Sequence, residues 1–252
     1  MSEEDFQSVA AHFPDPFRLM LRDSVESTND ELQSLAEDGA AHGMVLLTHE
    51  QTGGRGRRGN TWSAPAGENL TFSILVRPDE PKALWPRLAL ATGLALAEAL
   101  ESFGMQPGIK WPNDLWLDDR KVAGILVEAG EDFAIVGIGL NVHTTKFPKD
   151  IADSATSLAL TMGEAPDRAE LLAAIIQRFA VRHTTIGADF PRLIDAVNQR
   201  CVLSGKRVVL QTSGGPKSGI VKEVGSGGEL MLDTPNGTEA LIQADEVRMV
   251  ES

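Results

Sequence analysis

Cysteine is nearly missing. Cys201 is the one thiol in 252 residues, which rules out an internal disulfide framework and a cysteine-rich metal site. Basic charge is scarce as well: 23 lysines and arginines face 36 aspartates and glutamates, for a formal net charge of −13. Nucleic acid and anionic membrane surfaces are bound through basic faces, so both are excluded as main partners. A targeting segment is also lacking. The chain opens "MSEEDFQSVAAHF", acidic where a signal peptide would be cationic, and no apolar run approaches ~18 residues. These absences predict a cytoplasmic protein with no DNA and no membrane partner.

What is present suffices for one main core, since 42% of the chain is hydrophobic. The first ~20 residues have no clear period and read as an N-terminal arm. "STNDELQSLAEDG" predicts a short helix, with Thr28 and Glu31 fitting a capping box and Gly39 closing it. Strands are predicted over 43–50 and 69–78, a largely buried helix over 82–103, and three strands over 109–142 joined by "LDDRK" and "AGED". Helical stretches follow near 155–162, 167–186 and 189–199.

After Cys201 the texture changes to four or five short strands with glycine-rich turns, including the hairpin signal Asn236-Gly237. The fold class expected is α+β: a mixed sheet with helices over 1–200, then a small SH3-like β-barrel over 201–252.

"GGRGRRGN" (53–60) is the most unusual stretch, with four glycines and three arginines in eight positions. Gly54, Gly56 and Gly59 satisfy G-x-G-x-x-G, yet a dinucleotide turn needs a helix opening at the glycines. "NTWSAPAGENL" contains Pro65 and Gly67 and runs into a strand instead, so that reading fails. A phosphate-loop reading fails too, because no Lys-Ser/Thr pair follows a glycine at the required spacing. What remains is a pliable loop whose guanidinium forks at Arg55, Arg57 and Arg58 match carboxylate and phosphate oxygens. Such a loop is expected to be mobile when empty and ordered by an anion.

A second constellation is "KWPNDLWLDDRKVAGILVE" (110–128), where Lys110 and Lys121 flank a Trp-Pro-Asn-Asp turn. Both are compact cations suited to phosphoryl or carboxylate oxygens. Asn113 and Asp114 occupy the turn, and Asp114 reads equally well as a turn-forming residue.

Together, "ESTNDEL", "EQTGGRGRRGNTWSAPAGENLTFSILVRP", "KWPNDLWLDDRKVAGILVE" and "GIGLNV" resemble the biotin protein ligases that biotinylate acetyl-CoA carboxylase. The resemblance spans nearly all of 20–252. It implies the fold of class II tRNA synthetases and lipoate ligases, with no helix-turn-helix before residue 20 and hence no repressor role. It implies ATP and biotin as substrates, Mg²⁺ with ATP, a biotinyl-5′-AMP intermediate, and transfer to a lysine of the biotin carboxyl carrier protein. Metal ligands, the base for transfer and oligomeric state, a homodimer included, stay open.

By the same resemblance, Ser27, Thr28, Asn29 and Gln51 serve biotin, with Gly54, Arg55, Gly56 and Arg57 folding over biotin and adenylate. Lys121 stands near the carboxylate and the α-phosphate; Gly124, Gly137 and Gly139 line the pocket. Arg57, Arg58, Trp62, Asn113, Asp114 and Asn141 are assigned to the nucleotide side, and Lys110 joins Arg55, Arg57 and Lys121 as a catalytic candidate.

Overall fold

The computed structural model describes residues 3–212, 214–244 and 246–250. A seven-stranded sheet carries the larger part of the chain. Its strands are β1 (Arg18–Val25), β2 (Met44–Gln51), β3 (Leu70–Val76), β4 (Gly108–Lys110), β5 (Asp114–Leu117), β6 (Arg120–Ala129) and β7 (Ala134–Leu140), in the spatial order β1-β2-β3-β7-β6-β5-β4. β1 and β2 are parallel, joined through helix α2 (Thr28–Glu37); the remaining pairs are antiparallel.

The supposed arm is structured. Helix α1 (Glu3–Ala10) packs on the core and β1 forms the sheet's edge. β1 escapes sequence reading because it is half exposed, with no alternation to betray it; only pairing with β2 makes it a strand.

Helix α2 begins one residue away from the expected cap. Ser27, not Thr28, is the N-cap and accepts from Asp30 N, while Glu31 pairs with Arg22 instead of closing a box. The reason is tertiary: the backbone N–H and hydroxyl of Thr28 are both taken by Gln51 Oε1.

Lys82–Glu101 is long and apolar enough to cross a bilayer by length and composition. Pro86 instead splits it into a 3₁₀ turn (Lys82–Arg87) and α3 (Leu88–Glu101), of which Leu88, Leu94, Leu96 and Leu100 are fully buried. Helices α4 (Leu158–Met162), α5 (Arg168–Arg182) and α6 (Phe190–Asn198) follow, and α5 and α6 both pack on α3, which lies against β4, β5 and β6.

The 109–142 region holds four strands where three were expected. The extra one is β4, separated from β5 by a turn with a cis Trp111–Pro112 bond. "LDDRK" is a two-residue hairpin in which Asp118 and Asp119 both take positive φ (48° and 58°).

The C-terminal strands are β8 (Arg207–Thr212), β9 (Gly215–Val224), β10 (Leu230–Thr234), β11 (Gly237–Leu241) and β12 (Glu246–Met249). They pair antiparallel in the order β11-β10-β9-β8-β12, the small C-terminal β unit expected, with no closure of the ladder into a ring among the described residues. The fully buried Trp111 donates its indole N–H to Gly228 O at 2.9 Å, tying this sheet to the larger one.

A cationic cavity beneath the arginine loop

The two faces of the large sheet have different fates. One is covered by helices, with α3 against β4, β5 and β6 and α5 packed beside it. On the other, α2 packs Leu32 and Ala36 against Leu46, Leu75, Phe133 and Ile135, covering only one end. Beyond that end, three adjacent strands present small residues in register. Thr71 pairs with Gly139 and Ser73 with Gly137 across β3 and β7, and Gly124 pairs with Gly139 across β6 and β7. The result is the floor of a cavity of about 540 Å³.

Two of these glycines are required by close approach. A Cβ at Gly137 would lie 2.3 Å from Asn29 Oδ1, and one at Gly139 would lie 2.1 Å from Trp62 Cε2. At Gly124 a Cβ would stand 3.1 Å from Lys121 Nζ. The period-two spacing of Gly137 and Gly139 therefore puts both on the cavity face while Val136 and Ile138 point into the core.

One wall is the start of α2. Ser27, Thr28 and Asn29 are buried there, and Ser73 Oγ lies within hydrogen-bond reach of Asn29 Oδ1 (2.6 Å) and Thr28 Oγ1 (2.7 Å). Gln51, at the end of β2, accepts from Thr28 N at 2.8 Å. Asn29 Nδ2 donates to Glu128 Oε2 at 2.6 Å. Each polar group is thereby oriented before any ligand arrives.

The roof is the arginine loop. Its stem continues the sheet through Gly53 N to Glu26 O (2.7 Å). Its arms pair as a narrow hairpin: Trp62 N donates to Gly54 O at 2.9 Å and Gly56 N to Asn60 O at 2.7 Å. Gly54 thus shapes the neck and does not line the cavity. Arg58 sits at the tip, exposed with φ 57°, and is also off the wall.

Arg55 and Arg57 do line it. Arg57 spans the mouth, reaching Asn113 Oδ1 and Ala244 O, each at 3.2 Å. Arg55 grips Glu128 with both terminal nitrogens (2.8 and 3.0 Å) and also meets Asp30. Burial lowers the Arg55 pKa, but the bonds and charges of Glu128 and Asp30 together outweigh it and raise it above the ordinary value. Arg55 of the loop is thus paired with carboxylates of the chain itself.

Opposite the roof stand the two lysines. Lys121 Nζ lies 2.7 Å from Asp114 Oδ1 and 5.9 Å from the Trp62 ring centroid. Lys110 Nζ sits 4.4 Å over the ring of Trp116. Asn113 is fixed by donating to Ile125 O at 2.7 Å. Asn141, by contrast, is not on the wall. It is buried behind it, donating to Thr156 O at 3.0 Å.

Several lining residues went unread in the sequence: Thr71, Trp116, and Ala244, Val247, Arg248 and Met249 from the C-terminal sheet. Nothing local in "ADEVRMV" signals that a strand over 100 residues away in sequence closes one side of the cavity. The indole N–H groups of Trp62 and Trp116, both on the wall, are buried without an acceptor among the described residues.

The wall thus carries Arg55, Arg57, Lys110, Lys121 and Arg248 against one carboxylate, Asp114. A mixed sheet with such a cavity on its glycine rows defines a class of enzymes, and the comparisons identify it. A sequence model of the Biotin/lipoate A/B protein ligase family matches residues 21–142. The chain belongs to this family.

Within it, the biotin--[acetyl-CoA-carboxylase] ligase of Mycobacterium tuberculosis is 34% identical over 230 residues, covering 88% of this chain and 86% of that protein. The ligase of the same name from Paracoccus denitrificans is 32% identical over 237 residues, 87% of this chain and 96% of that one. Among solved structures, the biotin protein ligase from Aquifex aeolicus in complex with biotin and ATP superposes with a TM-score of 0.84 at 30% identity. The match covers 92% of this chain and 99% of that one.

Proposed function

We propose that this chain is an ATP-dependent biotin–[acetyl-CoA-carboxylase] ligase: it activates biotin as biotinyl-5′-AMP and transfers it to a lysine of a carboxyl carrier protein. The observation that carries the reading is the surplus of positive charge around one cavity of a protein whose net charge is −13. Joining a carboxylate to a triphosphate brings two anions together, and fixed cations in a water-poor cavity lower the cost of that approach.

In the first step a biotin carboxylate oxygen bonds to the α-phosphorus of ATP while the bond to the bridging oxygen breaks, releasing pyrophosphate. Lys121 serves here. Asp114 holds its ammonium between the glycine floor and Trp62, where a carboxylate and an α-phosphate can meet. Arg57 and Lys110 face the phosphates. Ser27, Thr28, Asn29 and Gln51 offer fixed donors and acceptors to a polar ring, and the bare backbone at Gly137 and Gly139 leaves room for it. The buried Trp62 and Trp116 N–H groups are further donors awaiting oxygen acceptors.

In the second step the carrier's lysine amine bonds to the acyl carbon, AMP leaves with the electron pair, and the amine gives up its proton. The mixed anhydride must be kept from water until then, which is the work of the arginine loop.

Magnesium is expected with the nucleotide rather than from the protein. No group of three or more metal-ligating side chains occurs among the described residues, and the single wall carboxylate already engages Lys121. That donor set fits an ion arriving on ATP phosphates. The division into a catalytic part over 1–200 and a β part over 201–252 is adopted with this reading.

The test is ATP–pyrophosphate exchange with biotin as the added acid. Exchange that requires biotin supports the reading. Exchange supported by lipoate and not by biotin would move the chain to the other branch of its family.

A further inference from the structure

A second cavity, of about 350 Å³, lies on the helix-covered side of the large sheet and shares no lining residue with the first. It sits between α1, the strands β1 and β2, and the first turn of α5. Its size falls within the range of small-molecule sites, which set a few fixed polar groups among apolar walls. The alternation of β2 sends Leu47 to this side, into the main core, while Leu46 packs under α2. Leu47, the half-buried Leu21 of β1 and Phe6 of α1 form the apolar walls.

The polar group is Arg168, the first residue of α5, and it is only 7% exposed. Its Nη1 donates to Asn69 O at 3.0 Å, and its Cζ lies 5.6 Å from the centroid of the Phe6 ring. Its other N–H groups meet no acceptor among the described residues, and no carboxylate there forms an ion pair with it. The adjacent Asp167 is committed to the helix cap, accepting from Ala169 N and Glu170 N. Asp23, the one carboxylate on the cavity wall, is exposed to solvent, and Arg22, the other cation there, pairs with Glu31. Burial pushes the Arg168 pKa down, opposed only in part by the charge of Asp167, yet a guanidinium stays protonated. A charge taken out of water is costly unless it is paired. Here the chain itself supplies no counter-ion.

We propose that this cavity binds a small apolar monocarboxylate, its carboxylate on the unbonded N–H groups of Arg168 and its hydrocarbon part against Phe6, Leu21 and Leu47. A guanidinium fork matches two carboxylate oxygens side by side. The apolar walls select against inorganic phosphate, which would lose hydration to them without new hydrogen bonds in return. The site is independent of the ligase chemistry on the other face of the sheet.

Sodium hexanoate titrated into the full chain, first without biotin and then with biotin in excess, tests this through the methyl NMR signals of Leu21 and Leu47. Both signals should shift saturably, with a Kd of roughly 1 mM or tighter in either condition. Hexan-1-ol keeps the chain without the charge, and inorganic phosphate keeps charge without the chain. Each should bind at least about tenfold more weakly than hexanoate.

Arg168→Met keeps an apolar stem and should weaken hexanoate about tenfold or more. Because it also removes the donor to Asn69 O, Leu21→Phe is the second variant. It fills the cavity from a half-buried wall position, leaves Arg168 in place and should abolish the hexanoate shift at Leu47. No saturable shift in the parent would overturn the proposal. So would hexan-1-ol or phosphate binding as well as hexanoate, or parental affinity in Leu21→Phe. Loss of the shifts when biotin is added would place hexanoate in the larger cavity and overturn it too. A parent without biotin-dependent pyrophosphate exchange would remove the ligase reading instead, and the methyl shifts would still decide this site.

Discussion

The indole of Trp62 rests directly on the backbone of Gly139: a methyl group built there would fall 2.1 Å from Cε2. The same ring lies 5.9 Å from the Lys121 ammonium, so one glycine sets where both the aromatic wall and the key cation can sit. Gly139→Ala should push the indole off the floor. We expect biotin affinity to fall at least about tenfold and stability by about 1–3 kcal/mol, the usual cost of overpacking. Calorimetric titration and thermal melts read the two effects; wild-type affinity in this variant would show that the contact is dispensable.

Lys121 should matter most where negative charges meet. Lys121→Ala is expected to lose pyrophosphate exchange by about 10²-fold or more, the scale of one preorganised electrostatic contact. Transfer from chemically made biotinyl-AMP should suffer less. Lys121→Arg should not rescue, since a planar fork cannot replace a point charge seated beside Asp114 and Trp62. Undiminished exchange in the alanine variant removes Lys121 from the first step.

Arg57 ties the roof to Asn113 and to Ala244 of the C-terminal segment, each at 3.2 Å. Arg57→Gly removes both ties and adds backbone freedom, so the mouth should open. Hydrogen bonds to charged groups contribute roughly 1.5–3 kcal/mol. Stopped-flow release of biotinyl-AMP should therefore be about tenfold faster or more. Release at the parent rate would contradict the idea that this arginine closes the cavity.

Acid sensitivity should arise away from the cavity, where His42 and His183 lie with ring centroids 5.4 Å apart beside Phe17. Burial, first of all, pushes both imidazoles below their ordinary value; Asp79 partly opposes this at His42, and backbone hydrogen bonding partly opposes it at His183. His42 Nδ1 accepts from Arg77 N at 3.0 Å, which requires that nitrogen unprotonated.

In the unfolded chain these groups titrate near 6.5, so below that pH the unfolded state binds more protons than the folded one. Stability is intact above pH 6.5 and is lost as pH falls from there toward the depressed folded values. Urea unfolding at pH 7.5, 6.5 and 5.5 checks this. His183→Phe, which keeps the stack on Phe179, should flatten the decline; a slope unaltered by that change would assign the acid sensitivity elsewhere.

The cavity's parts were legible wherever chemistry is written locally. A glycine-arginine run that fails as a dinucleotide turn and two lysines around a Pro-Asn-Asp turn pointed to an anion site, and the structure gathers them around one space. The resemblance supplied Ser27, Thr28, Asn29, Gln51, Gly124, Gly137 and Gly139, which also line it. Gly54, Arg58 and Asn141 came from the same motifs, yet they shape the neck, the tip and the back of the wall.

The elements misread were those whose identity depends on distant neighbours. β1 has no alternation of its own, and β4 is three residues long; both exist because an adjacent strand satisfies their backbone groups. The cap of α2 shifted to Ser27 because Gln51, 23 residues on, takes the polar groups of Thr28.

The amino-acid order alone set the acidic background, the glycine content of the loop and the positions of its cations, since these follow from residue type and near spacing. Which charges meet was decided by the folded sheet. Strand order brings Glu128 and Asp30 under Arg55 and carries Ala244 to Arg57, pairings that depend on register and crossover and have no signature within any short window of the chain.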